Sequence, residues 1–450
     1  VTTTPRIAIM GHVGNGNLGD EAIIAAVIAR LRARAPGVDL VAFTSNVPDT
    51  TERHGIPAFP IRLLGERDRG AEVQAGGEGL IAAAAARVRR VPRIKALLRP
   101  LVLFARSVVT VVRECGFDLR SYRRLRGVRL VVFAGSGQLN DDMDGPFGYP
   151  LTILRWCVLT RLRGAAVGVA SIGAGPLESP LSRWFLRRAL RLASYRSFRD
   201  PSSLALARRV GAPEPNLLVR DLAFSHPGLA ADASAAPSAP AKCVGINPLP
   251  FYGGSYWMVQ DRSVYDGYVA AHAELSRGLI RRGWRVVLFP TQLRADPDTI
   301  RDILQRLREV APAEAGAVES ATELTDVPDL LGLLATFDLV VATRYHGVLL
   351  ALASAVPTVA VSYHPKTRDV MEHMGLAAWC LEVEGLTGSV LLDRVERMGT
   401  QLAQVRAALL EQRGRDLGEL LDQYDALLRL AGAAVQAEGR GGAALATRRA

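Results

Sequence analysis

Short apolar runs alternate with helix-period patterns along most of this chain. One series of runs occupies the first half: Ile7–Met10, Leu40–Phe43, Leu130–Ala134, Ala166–Ser171 and Tyr195–Arg199. A second series follows: Val244–Asn247, Arg285–Pro290, Leu339–Ala342 and Thr358–Ser362. Most runs are rich in Val and Ile and apolar on both faces, as strands of a helix-covered parallel sheet must be. The alternation predicts an α/β protein with doubly wound sheets. At 450 residues the chain is too long for one ordinary core. Between the two series, residues 226–241 read HPGLAADASAAPSAPA, which lacks any period and predicts a linker. A first domain is therefore expected over 1–225 and a second over 242–430, with a frayed Gly/Ala-rich tail over 431–450.

One stretch breaks the pattern. Residues 65–127 are Arg-rich and include RVRRVPRIKALLRPLVLFARSVVTVV. The uncharged runs there, Ser107–Val112 among them, are far short of the roughly 20 apolar residues that span a bilayer. An amphipathic helical insertion is expected. It reads either as a packing helix with a solvated basic face or as a contact with an anionic membrane surface.

Composition narrows the classes. The net charge is +11, yet only Lys95, Lys242 and Lys366 are lysines among 55 basic residues. Such an arginine bias reads as codon usage, or as attraction to anionic substrates or lipid. No zinc-finger spacing, RRM signature or helix-turn-helix is present, which argues against nucleic acid. Four scattered cysteines without a CxxC pair argue for a reducing compartment and against structural zinc. The opening VTTTPRIAIM enters the first predicted strand directly, so a cytoplasmic chain is expected.

The first candidate chemistry is Gly14-Asn15-Gly16-Asn17-Leu18-Gly19, a G-x-G-x-x-G between a strand pattern and a helical pattern over Ala22–Leu31. That context suggests a dinucleotide turn. Such a turn wants an acidic residue ending the second strand. Here that strand ends in Thr44-Ser45-Asn46. Asp20 and Glu21 also follow Gly19 at once, where they would repel a pyrophosphate at the helix N-terminus. Asp20 reads either as an N-cap or as an acceptor lining a cleft.

The strongest constellation is Thr343-Arg344-Tyr345-His346-Gly347, between the strand pattern Asp338–Ala342 and the helix pattern Val348–Ala353. Open α/β sheets bind ligands at such a position. An arginine at a helix N-terminus makes an anion site, and a histidine beside bound anions is held protonated as a proton donor. One strand later, Tyr363-His364-Pro365-Lys366 adds a compact ammonium. In the first half, Asp200-Pro201 reads as N-cap and N1, with Arg199 at the strand end just before it. Two glycine loops, Gly135–Asp142 and Gly173–Leu177, follow apolar strands and belong on the cleft rim. Asp141, Asp142 and Asp144 lack the histidine or spacing of a metal cluster and read as solvated loop carboxylates.

Taken in order, these pieces resemble the polysaccharide pyruvyl transferase family. The matching runs are G-N-L-G-D-E at 16–21, the glycine loop at 135–142 and S-I-G-A-G-P-L at 171–177. F-R-D at 198–200, R-Y-H-G at 344–347 and Y-H-P-K at 363–366 complete the series. The resemblance spans about residues 6–376. It implies a GT-B-like fold, two Rossmann-like domains facing across a cleft. It also implies transfer of the enolpyruvyl group of phosphoenolpyruvate, as co-substrate, onto saccharide hydroxyls as a ketal, with no cofactor and no metal. By that resemblance His346 is the general acid, and Arg199, Arg344 and Lys366 hold the donor. Asn17, Asp20, Glu21 and Asp142 are acceptor-side candidates. A lipid-linked glycan acceptor would give the basic insertion a purpose at the inner membrane face. Three features depart from the family: Ser136 in place of a third glycine, the insertion itself, and Arg220 before Asp221. The competing readings are a GT-B glycosyltransferase using a nucleotide sugar and a non-catalytic envelope-pathway binding protein.

Overall fold

A computed structural model describes residues 5–436 except 12, 64–108, 110–111, 143, 231–241, 254–256 and 258. Two all-parallel sheets form the frame. The first runs β3-β2-β1-β4-β5-β6-β7, with β1 at Arg6–Met10, β2 at Asp39–Thr44, β3 at Ala58–Pro60 and β4 at Val128–Ala134. Its far side holds β5 at Ala166–Ile172, β6 at Tyr195–Phe198 and β7 at Leu217–Leu218. The second runs β10-β9-β8-β11-β12-β13. These are β8 at Cys243–Asn247, β9 at Arg285–Leu288, β10 at Val318–Ser320, β11 at Leu339–Ala342, β12 at Thr358–Ser362 and β13 at Cys380–Glu382. All nine expected strands are present. The four extra ones, β3, β7, β10 and β13, are the edges of the two sheets. Edge strands here are two or three residues long and partly exposed, so they leave no apolar run to read.

Strand order reverses between β1 and β4 in the first sheet and between β8 and β11 in the second. Loops leaving the carboxyl ends of neighbouring strands part company there and open a crevice. The two crevices face each other. Backbone groups tie them: Leu18 N donates to Thr291 O at 2.9 Å, and Leu293 N donates to Gly16 O at 2.8 Å. The Gln292 amide nitrogen donates to Asn15 O at 3.0 Å. Asp369 accepts from the amide and hydroxyl of Ser202, capping a helix of the first half from the second.

The interior is also shared. One apolar cluster contains Ile23, Val27 and Leu31 from the helix Leu18–Arg34, Leu330 and Leu334 from Val327–Ala335, and Val348 and Leu349 from Tyr345–Ala353. The last helix, Leu402–Leu430, runs back to the first sheet. Gln423 accepts from Tyr195 Oη and donates to Ser171, Tyr424 meets Ser225, and Asp425 pairs with Arg34. The end of the 242–430 stretch therefore packs on the sheet of the first half. Of the basic insertion, residues 112–124 are helical and hold Arg155 through Glu114 and Asp118 at 2.5 Å each. That end is a packing helix. Residues 65–108 and 110–111 of the insertion lie outside the described residues, as do 231–241 of the linker and 437–450 of the tail. Among the described residues, no helix is long and apolar enough to cross a membrane.

Candidate active site

The site grows from the sharp turn after β11. The strand ends at Ala342, Arg344 is the N-cap, and the helix Tyr345–Ala353 begins at once. Gly347 lets this helix press on the end of β8. A Cβ there would lie 1.9 Å from Asn247 Oδ1, and Asn247 is itself fixed by donating to Phe289 O at 2.8 Å. His346 is thereby aimed at the first domain, where Gly19 receives it. A Cβ on Gly19 would sit 1.9 Å from the His346 ring. The third glycine of the G-x-G-x-x-G motif thus makes room for a histidine of the other domain.

Two cations converge beside His346 on one ring. The Arg199 guanidinium lies 4.5 Å from the Tyr345 ring centroid, and Lys366 Nζ lies 5.4 Å from it. Arg199 comes from the first domain and Lys366 from the second. Arg199 is buried and donates to Asp221 at 3.0 Å and to Asp200 at 3.3 Å. Gly173 allows its approach, since a Cβ there would be 2.7 Å from the guanidinium. Asp200 also caps the helix Pro201–Arg209 by accepting from Ser203 N at 2.7 Å, as the Asp-Pro pair predicts. Lys366 sits in the first turn of the helix Pro365–His373, whose N-cap is His364. Burial first, and the Lys366 charge second, push His364 down to about 4, so its ring is the neutral acceptor that capping requires. Burial raises the Tyr345 phenol well above its ordinary value, so the ring between the cations stays neutral.

Arg344 makes a different contact. It donates to Asp296 Oδ1 from Nε at 2.8 Å and lies 2.6 Å from it through Nη2. Asp296 is fully buried, and its other oxygen accepts from Thr291 N at 3.0 Å and Gln292 N at 2.8 Å. Arg344 therefore anchors the 291–293 loop that pairs with the first domain.

The four acceptor-side candidates separate. Asn17, not Asp20, is the N-cap of the helix Leu18–Arg34, accepting from Gly19 N at 3.1 Å. The helix starts four residues before its expected first residue, because Leu18 and Gly19 carry no apolar period to mark it. Asn17 also donates to Asp20 at 2.8 Å, and Asp20 is 5% exposed. Glu21 turns into its own domain, accepting from Gly14 N at 2.8 Å and meeting His54 Nε2 at 2.8 Å. Asp142 is exposed on the rim. Partial burial, then the Asp141 and Glu178 carboxylates, raise its carboxyl above the ordinary range, while Lys366 across the cleft pulls it down. Asp141 staples the neighbouring loop by accepting from the amides of Glu178 and Ser179, and Asp144 pairs with Arg62 at 2.6 Å. Three partners escaped sequence reading: Asp296, Tyr345 and Asp221 as the mate of Arg199. Asp296 heads an Asp-Pro pair that marks a helix start, and nothing in sequence ties it to Arg344 some 48 positions on.

Solved structures share the architecture. A glycosyltransferase from Rickettsia africae aligns with TM-score 0.53 and 8% identity over 95% of this chain and 99% of that one. A UDP-GlcNAc 2-epimerase from Neisseria meningitidis, bound to UDP-GlcNAc, aligns with TM-score 0.52 and 9% identity over 95% and 100%. At such identities the likeness is one of fold, two Rossmann-like domains in the GT-B arrangement. No curated protein matches the chain. The family profile described as polysaccharide pyruvyl transferase matches residues 17–365, from the Asn17 cap through His346 to the residue before Lys366. The chain belongs to the polysaccharide pyruvyl transferase family.

Proposed function

We propose that this transferase moves the enolpyruvyl group of phosphoenolpyruvate onto two hydroxyls of a saccharide. The observation that carries the reading is the junction at Tyr345. There a guanidinium of one domain and an ammonium of the other share a neutral ring, next to a histidine seated on Gly19. A compact trianion fits such a place, since cations fixed in a partly buried site need no reorganisation when charge shifts.

In this scheme His346 gives a proton to the methylene carbon of the donor. Positive charge develops at C2, one sugar oxygen attacks there and its proton replaces the one His346 gave up, and the second oxygen displaces phosphate to close the ketal, its proton leaving with the phosphate. Arg199 and Lys366 hold the phosphate and carboxylate. Arg344 is assigned to the same task, and its engagement with Asp296 fixes where its guanidinium lies. Asp20 and Asp142 line the acceptor side, with Asn17 holding Asp20 in place. The reading places the protein in the cytoplasm, with no cofactor or metal in the scheme. A lipid-linked glycan is the acceptor form that would bring the basic 65–127 insertion to an anionic membrane.

The test is phosphate release from phosphoenolpyruvate with candidate glycans, wild type against His346→Ala. Removing a general acid is expected to cost about 10²- to 10⁴-fold. Consumption of a nucleotide sugar with no phosphate release from phosphoenolpyruvate under any acceptor would overturn the proposal.

A further inference from the structure

The helices Tyr149–Leu162 and Pro180–Leu192 pack side by side and together contain no Asp or Glu. Their outer face joins apolar and basic groups. Phe147 is 70% exposed and Trp184 48% exposed, and both rings touch Phe185, at centroid distances of 6.4 and 5.4 Å. Leu181 lies one turn before Trp184 on the same stripe and is exposed as well. Arg188 follows one turn later, its guanidinium 5.4 Å from the Trp184 ring, and Arg191 one turn beyond that. An aromatic tip edged by arginines is costly to leave in water, and monomers seldom expose such a contiguous patch without use.

We infer that this face docks on an anionic lipid surface. Charge decides among the occupants. A second copy of the chain would set the arginines against themselves. The chain's own RVRRVPRIKALLR segment is equally basic and would be repelled. Phospholipid offers what the face lacks: headgroup phosphates for the guanidinium groups and an interfacial layer for Trp184 and Phe147. The arginines lie on the helix stripe and the aromatics at its cleft end, so insertion and charge pairing are compatible with one orientation.

The face also borders the cleft. Phe147 lies five positions after Asp142, whose carboxyl feels Lys366, and Tyr149 feels the charge of Asp20. Docking there presents the cleft to a glycan carried on lipid. This orientation rests on the saccharide-acceptor reading, while the docking itself does not.

The experiment is flotation of the full chain with phosphatidylcholine vesicles, with and without phosphatidylglycerol. Wild type is expected to float with the anionic vesicles only, and to be released by high salt. The double variant Arg188→Gln/Arg191→Gln should bind roughly 25-fold more weakly, about five-fold per arginine. Phe147→Ser/Trp184→Ser should lose binding as well. All four positions are exposed, so melting temperatures matching wild type certify the fold. Wild type that ignores phosphatidylglycerol, or floats equally on phosphatidylcholine alone, overturns the inference. So do variants that bind like wild type while deletion of residues 65–108 abolishes binding. Loss of a wild-type dimer in the aromatic variant, without any vesicle binding, would assign the face to self-association and overturn it too. Failure of phosphoenolpyruvate turnover with intact flotation would sink the proposed reaction and leave the docking face standing.

Discussion

Replacing Gly19 with alanine places a methyl group where the His346 ring lies. The new Cβ would be 1.9 Å from the ring's Cγ and 2.2 Å from its Cβ, against an ordinary contact of 3.4 Å or more. The ring must retreat by about 1.5 Å, and a misplacement of about 1 Å at a reacting group costs on the order of 10²-fold in rate. That corresponds to ~2.7 kcal/mol of barrier. The backbone raises no objection, because Gly19 lies in the first turn of the helix Leu18–Arg34 and is not among the positive-φ glycines. Alanine is in fact preferred to glycine within helices by roughly 0.5–1 kcal/mol. That preference does not offset the overlap, which reaches His346 Cβ as well as its ring: kcat for phosphate release is expected to fall about 100-fold, and the melting temperature to fall with it, since forcing extra volume into a packed site costs about 1–3 kcal/mol. Gly137→Ala is the matched control, since a Cβ there meets nothing within 4 Å. The reasoning fails if Gly19→Ala keeps kcat within about threefold of wild type at an unchanged melting temperature, or if Gly137→Ala falls as far.

Three further outcomes follow from the same geometry. Asp296→Ala strips the partner from buried Arg344 and two amides of the 291–292 loop, so a loss of about 3–5 kcal/mol is expected in urea unfolding; a loss under about 1 kcal/mol would show that water replaces the carboxylate. Tyr345→Leu removes the ring shared by Arg199 and Lys366 and should raise KM for phosphoenolpyruvate about tenfold, while Tyr345→Phe keeps the ring and the affinity. Equal KM values for the two variants would refute the assignment. Burial pushes His272 down to about 4 from its ordinary 6.5. The unfolded chain takes up that proton first, so stability is full above 6.5 and falls as pH drops toward 4, by about 2 kcal/mol at about pH 5. His272→Gln should remove that part of the slope in unfolding curves at about pH 7 and about pH 5; an unchanged slope would assign it elsewhere.

Local sequence carried the interior of each sheet because buried parallel strands must be apolar on both faces, and runs such as Leu130–Ala134 announce themselves. It carried the motif positions because Arg344 and His346 stand where a strand gives way to a helix. It could not carry their partners. In F-R-D only Asp200 stands beside Arg199, yet Asp221, 22 positions on, holds it as well, and Arg344 likewise rests on Asp296. The cleft is therefore less positive than its arginines alone suggest. Pairing of this kind is set by tertiary approach over tens of residues, and the chain bears no local mark of it. The return of Leu402–Leu430 to the first sheet was hidden for the same reason, since its apolar stripe names no target.

The G-x-G-x-x-G stretch shows how a nucleotide-like pattern can be built for another end. Each glycine has its own cause. Gly14 adopts φ +85° and lies so close to Asn46 that a Cβ would sit 2.3 Å from that side chain. Gly16, at φ +70°, turns its carbonyl to Leu293 N of the other domain. Gly19 admits His346. In a dinucleotide turn the loop amides before the helix face a pyrophosphate. Here the Gly14 amide is already taken by the Glu21 carboxylate at 2.8 Å, and Asp20 stands beside it in the same first turn. The loop thus carries its own anions at the place where a nucleotide would bring one. Its helix dipole is spent on residues of the chain, and its backbone is spent on the domain junction. On the proposed reaction, the cations of the second domain and Arg199 are then the groups left to meet the donor anion, while the glycine loop holds the two domains together.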